Sequence, residues 1–148
     1  MIIADTTVLI DIHRGRDEIK PVLAAHSDDI VCISAITLKE LYFGLGFTRV
    51  KMGDETYEKQ KNKILQIISD FHVIEISNEI LKLAGLKAGE LLASGNRPDF
   101  EDVIIGITAE MVNAQKIITR TPDHFKAFKI PVEIYTVKTT SELAKKIT

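Results

Sequence analysis

The chain has 148 residues, 45% of them hydrophobic and 27% charged, which suits one globular domain over residues 1–148 and argues against a disordered chain. Its formal net charge of −2 argues against a general basic surface for nucleic acid, and its single cysteine excludes an internal disulfide. Asp5 interrupts the N-terminal apolar run, and no run approaches the roughly 20 residues of a membrane span, so we expect a cytoplasmic protein with no membrane partner.

Five short runs rich in Ile and Val are predicted to form strands. They cover residues 2–5, 30–34, 73–76, 116–119 and 133–137. Most of them lack a clean alternation of apolar and polar residues. That pattern is typical of strands that are covered on both faces in a parallel sheet.

Helical patterns separate these strands. They cover residues 7–14, 35–45, 52–71, 78–93 and 99–114, and a short further helix is predicted over 141–147. Ser34 precedes the second helix as a good N-cap, and Gly15, Gly46 and Gly95 are expected to end the first, second and fourth helices. Strands that alternate with helices predict a three-layer α/β/α sandwich around a mainly parallel sheet of about five strands.

Acidic residues follow the first two predicted strands, at the edge where ligands bind in folds of this kind. Asp5 ends the first strand, where capping of the next helix is the alternative role. Glu40 lies in a largely apolar helical stripe, where it would lose solvation without a partner. A metal ion would be such a partner; the alternatives are a solvated face or an ion pair with Lys39 or Arg49.

More acids lie around the fifth predicted helix and after the fourth strand. Asp99 and Asp102 are three residues apart and share a helical face, although acids there also complement the helix dipole. Asp102 leads into an apolar segment, which favours a place at the mouth of the sheet. Asp123 follows a proline, where turn formation is the alternative. Together these oxygen donors are typical of a site for Mg²⁺ or Mn²⁺.

Four stretches, in order along nearly the whole chain, resemble the motifs of PIN-domain ribonucleases, particularly the VapC-type toxins of prokaryotic toxin–antitoxin pairs. The first covers residues 2–11 around Asp5-Thr6-Thr7, with Arg14-Gly15 at a familiar spacing. The other three are residues 34–45 around Glu40, residues 95–106 around Asp102 together with Ala109, and Ile118-Thr119-Arg120 followed by His124-Phe125.

The resemblance implies that Asp5, Glu40 and Asp102 are catalytic acids that ligate a divalent cation, Mg²⁺ or Mn²⁺. It also implies that Thr6, with Thr119 in the fourth motif, supports this site. The family usually has Asn or Asp after the Thr-Arg pair, whereas this chain has Thr121. Two candidates for the fourth site residue therefore stay open, namely Asp123 and Thr121.

Three arginines are candidate phosphate contacts, because the guanidinium group fits phosphate geometry. They are Arg14, Arg97 and Arg120, each with a solvated surface position as the alternative. Of the four histidines, His124 is the one near the predicted site, and we interpret it as structural or substrate-adjacent.

The function implied by the resemblance is that of a metal-dependent endoribonuclease, a toxin that acts on RNA, forms a homodimer and is inhibited by an antitoxin protein. The alternative is a non-catalytic PIN-like module that binds RNA or protein, and Thr121 keeps it open. One segment holds more apolar side chains than one helical face can bury, so some are expected to face a second copy or the antitoxin, with ordinary core as the alternative. These side chains are Leu41, Tyr42, Phe43, Leu45 and Phe47.

Overall fold

The computed structural model describes residues 1–138, so the helix predicted over 141–147 lies outside the described residues. Five parallel strands form one sheet in the order β3-β2-β1-β4-β5. Their bounds are β1 Ile2–Ala4, β2 Val31–Ser34, β3 His72–Ile74, β4 Ile117–Thr119 and β5 Val132–Ile134. The predicted parallel sheet is confirmed, and the N-terminal strand is its middle strand.

Six helices connect the strands within the described residues. They are α1 Thr6–His13, α2 Ile19–Ala25, α3 Ala35–Met52, α4 Asp54–Ile68, α5 Asn78–Ala93 and α6 Phe100–Met111. A 3-10 helix, Pro122–Phe125, follows β4. No helix among residues 1–138 has both the length and the apolar character needed to cross a bilayer.

The helices cover both faces of the sheet, which gives the predicted three layers. Side chains alternate between the faces of a strand, so Ile3 packs with one apolar cluster while its neighbours Ile2 and Ala4 pack with the other. The first cluster contains residues of α5 and α6, and the second contains residues of α1, α3 and α4. Because both faces are buried, the strands carry apolar residues at consecutive positions.

Two helices differ from the prediction. The second predicted helix was expected to end at Gly46, but α3 continues to Met52, and Gly44 and Gly46 lie inside it. A glycine inside a helix costs about 0.5–1 kcal/mol, which does not forbid the helix. The chain turns instead at Gly53, whose φ of 90° suits glycine. Helix α2 was not predicted; its proline, Pro21, lies in the first turn, where it is tolerated.

Candidate metal centre

Asp5 lies directly after the middle strand, at the carboxyl edge of the sheet, and is almost completely buried. Its Oδ2 atom accepts hydrogen bonds from the hydroxyls of Thr7 at 2.9 Å and Thr119 at 2.7 Å. Its Oδ1 atom is buried and has no hydrogen-bond partner among the described residues. Burial raises the pKa of Asp5, because the charged form loses its hydration. Asp5 occupies the N-cap position of α1 but forms no side-chain capping bond, so capping does not account for it.

A chain of threonines holds the carboxylate of Asp5. The Thr119 hydroxyl gives its only proton to Asp5, so it accepts from the Thr121 hydroxyl at 3.2 Å and from the Thr121 backbone N–H at 2.9 Å. The predicted supporting residue Thr119 therefore contacts Asp5 directly. Thr121 stands one step further away, and its proton is committed to Thr119.

Glu40 lies in the second turn of α3, which begins after Ser34; the Ser34 hydroxyl accepts a capping bond from Ile36 N at 3.3 Å. The Oε2 atom of Glu40 is buried and has no hydrogen-bond partner among the described residues. Burial raises the pKa of Glu40, and the nearby charge of Asp5 raises it further, while the Thr6 hydroxyl opposes the shift. Glu40 is therefore a partly buried acid within electrostatic range of a second acid.

The ion pairs proposed as alternatives for Glu40 are not present. Lys39 contacts Glu101, and Arg49 pairs with Asp54 at 2.9 Å. The predicted support residue Thr6 is buried, and its hydroxyl lies 2.9 Å from that of Thr37.

Asp102 lies in the first turn of α6, which Asp99 caps by accepting a hydrogen bond from Asp102 N at 3.2 Å. Asp99 is thus the N-cap of α6, a structural role other than the dipole complementation given as the alternative for the acids of this turn. Burial, together with the charge of Asp5, raises the pKa of Asp102 to about 7, and a contact with His124 opposes this shift. His124 belongs to the 3-10 helix after β4.

Three residues bring ligand atoms especially close together. In the described part of the chain, one ligand atom each from Asp99, Asp102 and His124 lies within 4.8 Å of the other two. Asp5 and Glu40 lie outside this set of three. They interact with it electrostatically, because the charge of Asp5 raises the pKa of Asp102 and the charge of Asp99 raises the pKa of Glu40. The sequence analysis did not predict that His124 lies with these acids. Its position in the fourth motif, three residues after Thr121, could have indicated this.

Two residues offered for this site have other partners. Asp123 is exposed, and its carboxylate pairs with Lys126 at 2.6 Å, so the structure does not bring it to the acidic group. Arg120 donates from Nε and Nη2 to the buried carboxylate of Asp11 at 2.8 and 3.2 Å. Tyr135 donates to the same carboxylate at 2.7 Å. The guanidinium offered to phosphate is therefore held by Asp11.

The other two candidate phosphate contacts are exposed side chains, and neither forms a salt bridge within residues 1–138. Arg97 lies in the loop before α6. Arg14 lines a cavity of about 390 Å³ between α1, α3 and α4, and Glu40 lies in its wall together with His13 and Gln60. The same cavity is thus lined by Glu40, an acid of the centre, and by the exposed guanidinium of Arg14.

The residues present fit a divalent cation. Two buried carboxylate oxygens, Asp5 Oδ1 and Glu40 Oε2, lack the hydrogen bonds that buried polar atoms almost always form. Crowded carboxylates repel one another unless one stays protonated or a cation neutralises them. Oxygen ligands of this type suit Mg²⁺ or Mn²⁺.

Comparison with solved structures finds the same fold in chains of toxin–antitoxin complexes. A chain of VapBC2 from Rickettsia felis, bound to a promoter DNA fragment, matches with a TM-score of 0.77 and 21% identity over 92% of this chain and 100% of that chain. A chain of DNA-bound VapBC from Salmonella typhimurium matches with a TM-score of 0.73 and 21% identity over 90% and 96%. A chain of a toxin–antitoxin complex from Klebsiella pneumoniae matches with a TM-score of 0.66 and 28% identity over 90% and 96%.

Comparison with curated proteins finds no match. A family model described as PIN domain matches residues 2–130, which include Asp5, Glu40, Asp102 and His124. The match therefore spans most of the chain and the whole acidic edge of the sheet, and the chain belongs to the PIN domain family.

Proposed function

We propose that this protein is a divalent-metal-dependent endoribonuclease of the cytoplasm and the toxin of a toxin–antitoxin pair. The observation that carries the proposal is the carboxylate of Asp5, which is buried at the carboxyl end of the middle strand with Oδ1 unpartnered. The charge of Asp5 raises the pKa of both Glu40 and Asp102. A buried acid that repels two others is costly to the fold unless a cation is bound there. Because the chain belongs to the PIN domain family, nuclease activity is the function that we propose for the bound cation.

Three acids of this chain would hold the cation, and two threonines would orient one of them. Asp5, Glu40 and Asp102 would hold Mg²⁺ or Mn²⁺, and Thr7 and Thr119 would keep the carboxylate of Asp5 in one orientation. When bound, such an ion supplies an activated water and neutralises the charge that develops on a phosphate. Substrate phosphate would complete the ligand set, since three acids leave coordination positions open.

RNA as the substrate rests on the family resemblance, together with two exposed cations. Arg14 and Arg97 are both exposed, and Arg14 lies in the wall of the cavity that also contains Glu40. With a net charge of −2, the chain would bind RNA locally, through these arginines and the bound cation, and not through a general basic surface.

The toxin role rests on the relatives and on an apolar surface of α3. All three relatives described above come from complexes whose names state a toxin–antitoxin or VapBC assembly. On α3, Leu41 and Leu45 are buried, whereas Tyr42, Phe43 and Phe47 are exposed by 46%, 74% and 62%. Exposed aromatic side chains at this density are typical of a protein interface, here with an antitoxin or a second copy in a homodimer.

The test is cleavage of a mixed RNA panel with Mg²⁺ or Mn²⁺ by the wild type, Asp5→Asn and Asp28→Asn. Asp28 is an exposed acid that lies outside the four motifs and serves as the matched control. We expect the Asp5 variant to lose more than the 10–100-fold typical of residues that only orient a ligand, and chelator to abolish cleavage by the wild type. Equal cleavage by all three proteins would contradict the proposal.

Growth of a host that expresses the chain alone tests the toxin role separately. We expect the wild type to slow growth and Asp5→Asn to restore it at equal soluble levels. Normal growth with abundant soluble wild type would reject the toxin role while leaving the nuclease activity in place.

A non-catalytic PIN-like module that binds RNA or protein is the second candidate, and Thr121 favours it. The hydroxyl of Thr121 is bonded to Thr119, so this position offers no charged ligand. In that case RNA would bind without being cleaved, and Asp5→Asn would bind it equally well.

A further inference from the structure

The cluster formed by Asp99, Asp102 and His124 contains a nitrogen donor as well as oxygens. It joins the start of α6 to the 3-10 helix after β4, and His124 touches Asp102 through Nδ1. The third acid of this turn, Glu101, is held by Lys39 and takes no part. Two acids and one imidazole are therefore gathered at one point of the sheet edge.

An independent observation indicates that a ligand belongs at this point. Asp5 is buried and its Oδ1 has no hydrogen-bond partner among the described residues. The charge of Asp5 affects the pKa of both Asp102 and His124, so this buried acid is within electrostatic range of the cluster. A bound cation near these three side chains would account for a buried carboxylate oxygen that has no N–H or O–H partner among the described residues.

We propose that His124 is a metal ligand of this chain, and that its imidazole nitrogen replaces the acidic or amide side chain that position 121 lacks. The proposal rests on the metal-dependent function proposed above. Thr121 carries only a hydroxyl committed to Thr119, and Asp123 is exposed and paired with Lys126. Of the side chains between β4 and residue 138, His124 is the one in contact with an acid of the centre. Asp99 adds a carboxylate oxygen beside it.

A nitrogen ligand changes which ions the site favours. Mg²⁺ prefers oxygen ligands throughout, whereas imidazole suits transition metals, and affinity rises from Mn²⁺ to Co²⁺. This chain is therefore expected to bind Mn²⁺ and Co²⁺ more tightly than Mg²⁺. Substitution of His124 should weaken the binding of the two transition metals much more than that of Mg²⁺.

Calorimetric titration of the purified protein with Mn²⁺, Co²⁺ and Mg²⁺ tests this, with the wild type, His124→Ala, His124→Asp, Asp5→Asn and His72→Ala. His72 is an exposed histidine on the edge strand β3 and is the matched control. The side chain of His124 is 47% exposed, so its substitution leaves the core intact, which a thermal melt checks. We expect His124→Ala to weaken Mn²⁺ binding by at least about 10-fold, His72→Ala to have no effect, and His124→Asp to shift preference toward Mg²⁺.

Pulsed electron paramagnetic resonance of bound Mn²⁺ gives a readout besides affinity. We expect ¹⁴N modulation in the wild type and in His72→Ala, and none in His124→Ala. If Asp5→Asn abolishes Mn²⁺ binding while His124→Ala matches the wild type in affinity and nitrogen signal, the histidine ligand is rejected and the proposed nuclease stands. If the wild type binds none of the three ions, both proposals fall.

Discussion

Thr119 and Asp5 are 114 residues apart in the chain, and the Thr119 hydroxyl donates a 2.7 Å hydrogen bond to Oδ2 of Asp5. This bond and the one from Thr7 fix one oxygen of the carboxylate, while the other, Oδ1, accepts no hydrogen bond from any residue in 1–138. The orientation of the buried acid therefore depends on a residue of the distant strand β4.

Replacing Thr119 with Val keeps the shape of the side chain but removes the donor. We expect Mn²⁺ affinity to fall about 10–100-fold, the range for residues that orient a metal ligand. Thr119→Ser, which retains the hydroxyl, should stay within a few-fold of the wild type. Calorimetric titration measures both, and a valine variant that binds Mn²⁺ as tightly as the serine variant would show that the hydroxyl does not orient the ligand.

Tyr135 ties the C-terminal strand to α1 through its hydrogen bond to buried Asp11. Hydrogen bonds to charged groups contribute about 1.5–3 kcal/mol, so Tyr135→Phe should lower the free energy of unfolding by that amount. Urea denaturation measures the change. Tyr42→Phe removes the hydroxyl of an exposed tyrosine on α3 and should leave stability unaltered. Equal stability of both variants would contradict a structural role for the Tyr135–Asp11 contact.

Gly106 lies against the ring of Phe128, and a Cβ atom at this position would stand 2.6 Å from the ring carbons. Phe128 is buried and cannot move away freely, so Gly106→Ala should destabilise the fold by about 1–3 kcal/mol through overpacking. Gly89 lies in the exposed face of α5 with open space around it. There the same change should stabilise by about 0.5–1 kcal/mol, since alanine favours helix. Thermal melts that move in the same direction for both variants would contradict this account.

His26 links the start of β2 to β5 through Asp29 at 2.8 Å and Glu133 at 2.6 Å, and Lys116 contacts Glu133 at 3.1 Å. Asp29 and Glu133 raise the pKa of His26 above its ordinary value of 6.5, against the opposing charge of Lys116. Although burial opposes it, His26 and Lys116 lower the pKa of Glu133 below its ordinary value of 4.5. The contribution of the cluster to stability is therefore complete between about pH 4.5 and 6.5.

As pH rises through the raised pKa of His26, this contribution is lost, and as pH falls through the lowered pKa of Glu133 it is lost again. We expect His26→Gln to melt about 2–4 °C below the wild type near pH 6, for a loss of about 1 kcal/mol. The difference should shrink above pH 8. A gap in melting temperature that stays constant from pH 6 to pH 9 would indicate lost packing and not lost charge.

The sequence predicted the sheet well because its strands are short, rich in Ile and Val and separated by helices. The position of Asp5 at the carboxyl edge of the sheet could also be predicted, because a charged residue directly after a buried strand lies at that edge. The end of α3 was predicted wrongly because Gly46 was weighed as a helix stop, whereas the backbone turns at Gly53, where φ becomes positive. Local pattern alone does not distinguish a glycine that ends a helix from one that a helix contains.

Pairings between distant residues could not be predicted from spacing. The guanidinium of Arg120 binds Asp11, which lies 109 residues away in the chain. Likewise, the contact between His124 and Asp102 requires the start of α6 and the turn after β4 to meet. Such contacts depend on which strands are neighbours in the sheet, and the order β3-β2-β1-β4-β5 emerges from packing of the whole domain.

The central place of β1 also dictates when the acidic edge can be assembled during translation. Strand β1 borders β2 and β4, and Asp5 receives its bond from a residue that is made 114 positions later. A nascent chain that has not yet reached residue 119 thus lacks the hydrogen bond from Thr119 to Asp5. It also lacks β4, one of the two strands that pair with β1. If the protein cleaves RNA, its acidic centre is therefore complete only after β4 has emerged from the ribosome.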